Sequence, residues 1–273
     1  MFRGLASRDG LTDVLPRLQP IIDLVHGNPD ATLGDAYAAG EHILRQHYRN
    51  EYVYKNDLIS RIIFGRHSPR TASALLEVPM GRSCADLMVV NGTSTIYEIK
   101  TDLDDFHRLA SQLTSYATRA EFVNVVVGEK KATRAAGHLP ENVGLIVASQ
   151  GGSMSTIRPA RSNLDLLDLD HLYQLLRVDE AAALLERTTG YVADIPRGHS
   201  WKRMRELFSE LDRHQAHHQV VTTLKTRGTL AADLVSRPNY PASLRALAYG
   251  ASLNPTSAER TMRRLTAHPA TLE

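Results

Sequence analysis

Residues 81–100, GRSCADLMVVNGTSTIYEIK, constrain the fold more than any other stretch of this chain. Two apolar runs flank Asn91-Gly92, a strong short-range signal for a β-hairpin. Charge interrupts both runs: Asp86 in the first, Glu98 and Lys100 in the second. Strand side chains alternate between faces, so Ile96, Glu98 and Lys100 share one face and Tyr97 and Ile99 take the other. Where Asp86 falls depends on the loop. A two-residue type I′ turn at Asn91-Gly92 sets Val90 against Thr93 and Asp86 against Tyr97, away from Glu98. A three-residue loop with Gly92 left-handed and a bulge sets Val89 against Thr93 and Asp86 against Ile96, on the face of Glu98 and Lys100. A charged site on this hairpin therefore requires an odd loop or a bulge.

Two carboxylates converging on one point repel unless a cation neutralises them. Oxygen ligands of this kind favour Mg²⁺ or Mn²⁺. Such an ion lowers the pKa of a bound water and stabilises charge on a phosphate. Asp86 and Glu98 are the expected ligands, with the Ile99 carbonyl as a third. Lys100, two residues past Glu98, is the expected catalytic cation. The competing reading is a solvated sheet face carrying ordinary cross-strand charge pairs. The apolar company of Leu87, Met88, Val89 and Val90 argues for a central strand instead.

The flanking sequence supplies the frame. Residues 11–26 carry a helical apolar stripe, but Pro16 and Pro20 predict a helix that is broken or starts late. Residues 33–48 and 50–64 read as helices, and 74–80 as a short strand. After Lys100, Asp102 or Asp104 is a predicted cap for a helix carrying Leu109, Leu113 and Tyr116. Residues 122–127 and 143–148 are β-branched, apolar runs expected of strands buried on both faces, and 154–157 returns as a short strand. From about residue 160 the spacing is helical throughout, with one long helix predicted over 201–226. The predicted organisation is an N-terminal helical segment (1–49), a core (50–159) and a helical C-terminal region (160–273).

Gln112 and Tyr116 lie four apart on one face of the helix after Lys100. An aspartate on one strand, Glu-x-Lys on the next and Gln-x-x-x-Tyr on the following helix resemble the PD-(D/E)XK nuclease superfamily, in particular its RecB-like branch. NEYVYKN (50–56) through NGTSTIYEIK is also similar to an uncharacterised bacterial family regarded as nucleases of this fold. The resemblance covers about residues 50–150 and departs from the pattern at Ala85, where the superfamily carries proline. It implies an α/β, restriction-endonuclease-like core with a mixed central sheet flanked by helices. It implies Asp86, Glu98 and Lys100 as the core positions, with Gln112 and Tyr116 positioning nucleic acid and supporting the metal site. The acidic residue this superfamily often has before the sheet falls to Glu51, with Glu77 as the competitor. The expected activity is Mg²⁺- or Mn²⁺-dependent hydrolysis of phosphodiesters, in DNA rather than RNA. The alternative is a non-catalytic nucleic-acid-binding or protein-interaction module on the same fold.

Composition bounds the rest. One cysteine, Cys84, excludes an intramolecular disulfide and a cysteine-rich zinc site. A net charge of +2 permits nucleic-acid binding without arguing for it. No apolar run is long enough for a membrane span, which leads to the expectation of a cytoplasmic protein. The basic runs at Lys130, Lys131 and Arg134 and at Lys202, Arg203 and Arg205 read as solvated helix faces or phosphate contacts. His214, His217 and His218 lack the glutamate of a metallohydrolase helix. Arg260, Arg263 and Arg264 follow Asn254-Pro255 in a weak helix-turn-helix pattern. The helical C-terminal region is the expected surface for a homodimer or partner-protein contact.

Overall fold

The computed structural model describes residues 2–192 and 197–272. Contacts divide the chain into two compact units: residues 1–74 with 228–273, and residues 75–227. The boundary expected near Pro159 lies inside the second unit, because the helices beyond it pack into the same core as the sheet.

The six strands are β1 (Ser73–Met80), β2 (Ser83–Val90), β3 (Ser94–Lys100), β4 (Phe122–Gly128), β5 (Gly144–Ala148) and β6 (Met154–Arg158), and they lie in that order in one sheet. β3, β4 and β5 are parallel, while β2 and β6 pair antiparallel to β3 and β5. The protein is therefore α/β, with a mixed sheet flanked by helices and a helical C-terminal region. Met88, Val90, Ile96, Val123, Val125 and Val127 share one face and form one core with Leu109, Leu113 and Tyr116 of helix Leu109–Ala117 and with Val220, Val221 and Leu224 of helix Arg213–Thr226. Residues Val123–Gly128 of β4 are buried without a break, as a strand covered on both faces demands.

The hairpin loop has three residues. Val90 pairs with Ser94 and Leu87 with Tyr97, leaving Asn91, Gly92 and Thr93 as the loop, with Gly92 left-handed at φ 71°. The Asn91 amide donates to the Thr93 carbonyl at 3.0 Å. The loop is odd, as a shared charged face requires, but sits one residue further along than the expected Val89–Thr93 pairing. Extended by one residue, the observed register sets Asp86 across from Glu98 rather than Ile96.

Three local expectations change. Helix Leu11–Ile22 is continuous through both prolines. Pro16 and Pro20 are exposed, so the carbonyls they leave without intrahelical donors face water, while Val14 and Leu18 stay buried. The helix after β3 starts only at Leu109. Asp104 does not cap it; its carboxylate takes the Thr101 amide at 2.8 Å and the Thr101 hydroxyl at 2.6 Å, closing a turn. The stretch 201–226 is two helices, Arg197–Ser209 and Arg213–Thr226, because Asp212 accepts from the Gln215 amide and starts the second one.

In the first unit, helices Leu11–Ile22, Leu33–His47, Thr229–Val235 and Pro255–Leu265 contribute to a core that includes Leu18, Leu33, Leu234, Leu244 and Leu265. Arg264 donates to the carbonyls of Leu5, Ser7 and Arg8, and Arg260 to that of Ala6. Two of the three arginines of the helix-turn-helix pattern therefore cap helix Phe2–Ala6. Among the described residues, no helix is long and apolar enough to cross a membrane.

Candidate active site

The second unit brings Asp86, Glu98, Ile99, Lys100, Gln112 and Tyr116 together. Glu98 is 1% exposed, yet it carries a carboxylate in the middle of β3. Burying such a charge is unfavourable unless it is paired and hydrogen-bonded. Here it is both. Oε1 accepts from the Lys100 ammonium at 2.8 Å and from the Gln112 side-chain amide at 2.6 Å. Oε2 lies 2.8 Å from the Tyr116 hydroxyl. Gln112 closes the ring by accepting from Lys100 at 3.1 Å and reaching the Tyr116 oxygen at 3.5 Å.

Tyr116 is fully buried and also lies 2.8 Å from the Cys84 carbonyl. Its single proton serves one acceptor at a time, and the charged carboxylate is the stronger. Burial, with the negative charge of Glu98 second, holds the Tyr116 hydroxyl well above its ordinary pKa, so it stays a donor. Tyr116 braces Glu98 from inside the core. The helix can do this because Gln112 and Tyr116 are one turn apart and Leu113 anchors the same stretch in the core.

Asp86 accepts the Ile99 amide on Oδ2 at 2.6 Å. In a strand the N–H and C=O of one residue leave the same edge, so the Ile99 carbonyl also points toward β2 and Asp86. A carboxylate oxygen of Glu77 lies within 4.8 Å of one of Asp86. Glu77 has φ 50°, a left-handed conformation that a non-glycine residue rarely adopts inside a strand. Its signal in the sequence is a charge in the apolar run of β1, the same signal that marks Asp86. Glu51 pairs with Lys55 one turn along its helix.

Carboxylate oxygens are groups that could hold a hard divalent cation. Asp86 and Glu77 are neighbouring carboxylates, and the second lone pair of Glu98 Oε2 receives no donor among the described residues. On the loop leaving Lys100, Phe106 carries the Lys131 ammonium 5.6 Å and the Arg134 guanidinium 5.5 Å from its ring centre, and Lys131 also donates to the Asp104 carbonyl. Arg203 and Arg205 pair with Glu206 and Asp170, the pattern of a solvated helix face.

The histidine helix contributes one buried contact. His217 Nε2 lies 2.7 Å from the Ser94 hydroxyl at the start of β3, and Ser94 accepts the Glu121 amide at 2.9 Å. That leaves the Ser94 proton for His217. Burial, then His218 and His214, push the His217 pKa down to about 4. His214 and His218 are exposed.

An α/β sheet with a buried, hydrogen-bonded Glu-x-Lys defines the class of site. The family model for bacteriophage P4 protein cII matches residues 44–246, more than half of the chain. The chain belongs to that family. No curated protein and no solved structure matches it.

Proposed function

We propose that this protein is a Mg²⁺- or Mn²⁺-dependent nuclease that hydrolyses phosphodiester bonds, in DNA rather than RNA. One observation carries the reading: Asp86 shares a sheet face with a buried Glu98 whose carboxylate is held by Lys100, Gln112 and Tyr116. The likeness of Asp86, Glu98-x-Lys100 and Gln112-x-x-x-Tyr116 to the PD-(D/E)XK superfamily supports it.

Asp86, Glu77 and Glu98, with the Ile99 carbonyl, are the groups that would hold the ion. When bound, it supplies a water of lowered pKa and charge stabilisation at the phosphate. The chain's own residues do the rest. Lys100 offers a positive charge beside the carboxylates, suited to orienting the attacking water and to the charge that develops on the phosphoryl oxygens. Gln112 and Tyr116 fix the rotamer of Glu98, and the Ile99 amide fixes that of Asp86, so the site is organised before substrate arrives.

The test is cleavage of plasmid, linear and single-stranded DNA and of RNA with Mg²⁺ or Mn²⁺, comparing wild type with Asp86→Ala and Lys100→Ala. Loss of cleavage in both variants supports the assignment, and equal activity in all three rejects it. A second reading follows from the Glu98–Lys100 pair, which already neutralises itself at 2.8 Å. A non-catalytic nucleic-acid-binding module on this fold predicts binding without cleavage, unchanged in Lys100→Met.

A further inference from the structure

We propose that Lys100 is the resident counter-cation of Glu98, so that divalent-metal binding and release of the lysine are one coupled event. The inference rests on the reading of this face as a metal site. In Glu98, both lone pairs of Oε1 are taken, one by Lys100 and one by Gln112. Tyr116 takes one lone pair of Oε2 and leaves one open. A divalent ion ligated there would stand a few ångströms from an ammonium bound to the same carboxylate. In an environment where Glu98 is 1% exposed, water screens that repulsion poorly.

Gln112 gives Lys100 an alternative. Its Oε1 already accepts from the ammonium at 3.1 Å, so the lysine can leave Glu98 while keeping one polar partner. Lys100 is 12% exposed against 2% for the Glu98 side chain, so the lysine has the way out toward solvent. The same side chain thus opposes metal binding in the resting protein and is set free, charged and next to the ion, once metal is in place. The coupling is reciprocal: whatever the lysine costs the metal, the metal costs the lysine–glutamate pair.

The consequence runs against the usual expectation for an active-site substitution. Removing the lysine should strengthen metal binding while abolishing cleavage. The experiment is calorimetric titration of MnCl₂ into the full chain as wild type, Lys100→Met and Asp86→Asn. A Lys100→Met affinity roughly fivefold or more above wild type is expected, the lower end of measured couplings between sites. Equal or weaker binding by Lys100→Met overturns the inference while leaving an Asp86-dependent metal site standing. Absence of Asp86-dependent Mn²⁺ binding in wild type removes both the site and the inference.

Because Lys100→Met leaves Glu98 buried without its partner, a measurement on the wild type decides the matter if that variant does not fold. Acetylation of Lys100 by an amine-reactive reagent, followed by mass spectrometry with exposed Lys202 as internal reference, should speed up severalfold in Mn²⁺ relative to EDTA. An unchanged rate overturns the proposal.

Discussion

The backbone amide of Ile99 donates to Asp86 Oδ2 at 2.6 Å, tying the aspartate of one hairpin strand to the strand that bears Glu98 and Lys100. The spacing of the charged groups is thereby set by the sheet and not by flexible side chains. The same bond makes Asp86 a structural residue as well as a proposed ligand, and the two roles separate by substitution.

Asp86→Ala removes the acceptor of a backbone amide inside the sheet and should lower stability by about 1–3 kcal/mol. Asp86→Asn keeps an oxygen acceptor, so urea denaturation should find it closer to wild type. Metal-dependent cleavage should be lost in both, which distinguishes loss of a ligand from loss of fold.

Tyr116→Phe keeps the buried ring and removes the hydroxyl that faces Glu98 Oε2 and the Cys84 carbonyl. The expected cost is again about 1–3 kcal/mol, read from the shift in the urea midpoint. Cleavage should fall while nucleic-acid affinity, measured without divalent metal, stays near wild type. A matching drop in affinity would put Tyr116 at the substrate.

His217 gives the protein an acid-sensitive contact. Its pKa of about 4 when folded lies below the ordinary value of 6.5, so the folded state binds fewer protons between those limits. The stability it contributes is fully present above pH 6.5 and is lost as pH falls toward and through 4. The melting temperature of wild type should therefore fall with pH over that window. His217→Gln, lacking the titration, should be less stable at neutral pH and flatter with acid. A wild-type slope equal to that of the variant would remove His217 as the cause.

Two glycines should respond differently to alanine. At Gly144 a Cβ would sit 2.2 Å from Asn124 Oδ1 and 2.8 Å from the Ala160 backbone nitrogen, so Gly144→Ala should disrupt the β4–β5 pairing and prevent native accumulation. At Gly92 a Cβ would meet nothing within 4 Å, and only the left-handed backbone at φ 71° resists it. Gly92→Ala should cost roughly 1–2 kcal/mol and leave the fold intact. Circular dichroism and urea denaturation of the two variants test the contrast.

Much of the sheet is legible in the chain because its signals are local. The apolar, β-branched runs at Phe122–Gly128 and Gly144–Ala148 specify buried strands wherever they are placed. Asp86, Glu98 and Lys100 are conspicuous as charges in apolar strands, and strand parity alone ties a shared charged face to an odd loop or a bulge. The helix breaks are harder to read. Asp104 and Asp212 are equally good caps by type, and only their partners, Thr101 and Gln215, tell which one starts a helix.

The sequence by itself determined the strands, the shared face of Glu98 and Lys100, and the one-turn spacing of Gln112 and Tyr116, because period and side-chain type act over a few residues. Tertiary structure decided the rest. It shifted the hairpin register so that Asp86 comes across from Glu98, drew Glu77 toward Asp86 in a left-handed conformation, and joined Ser94 to His217, 123 residues away. It also turned Tyr116 inward to brace a buried carboxylate. Those outcomes depend on which buried polar groups find partners when helix and sheet close on one core, and separation along the chain carries no record of that.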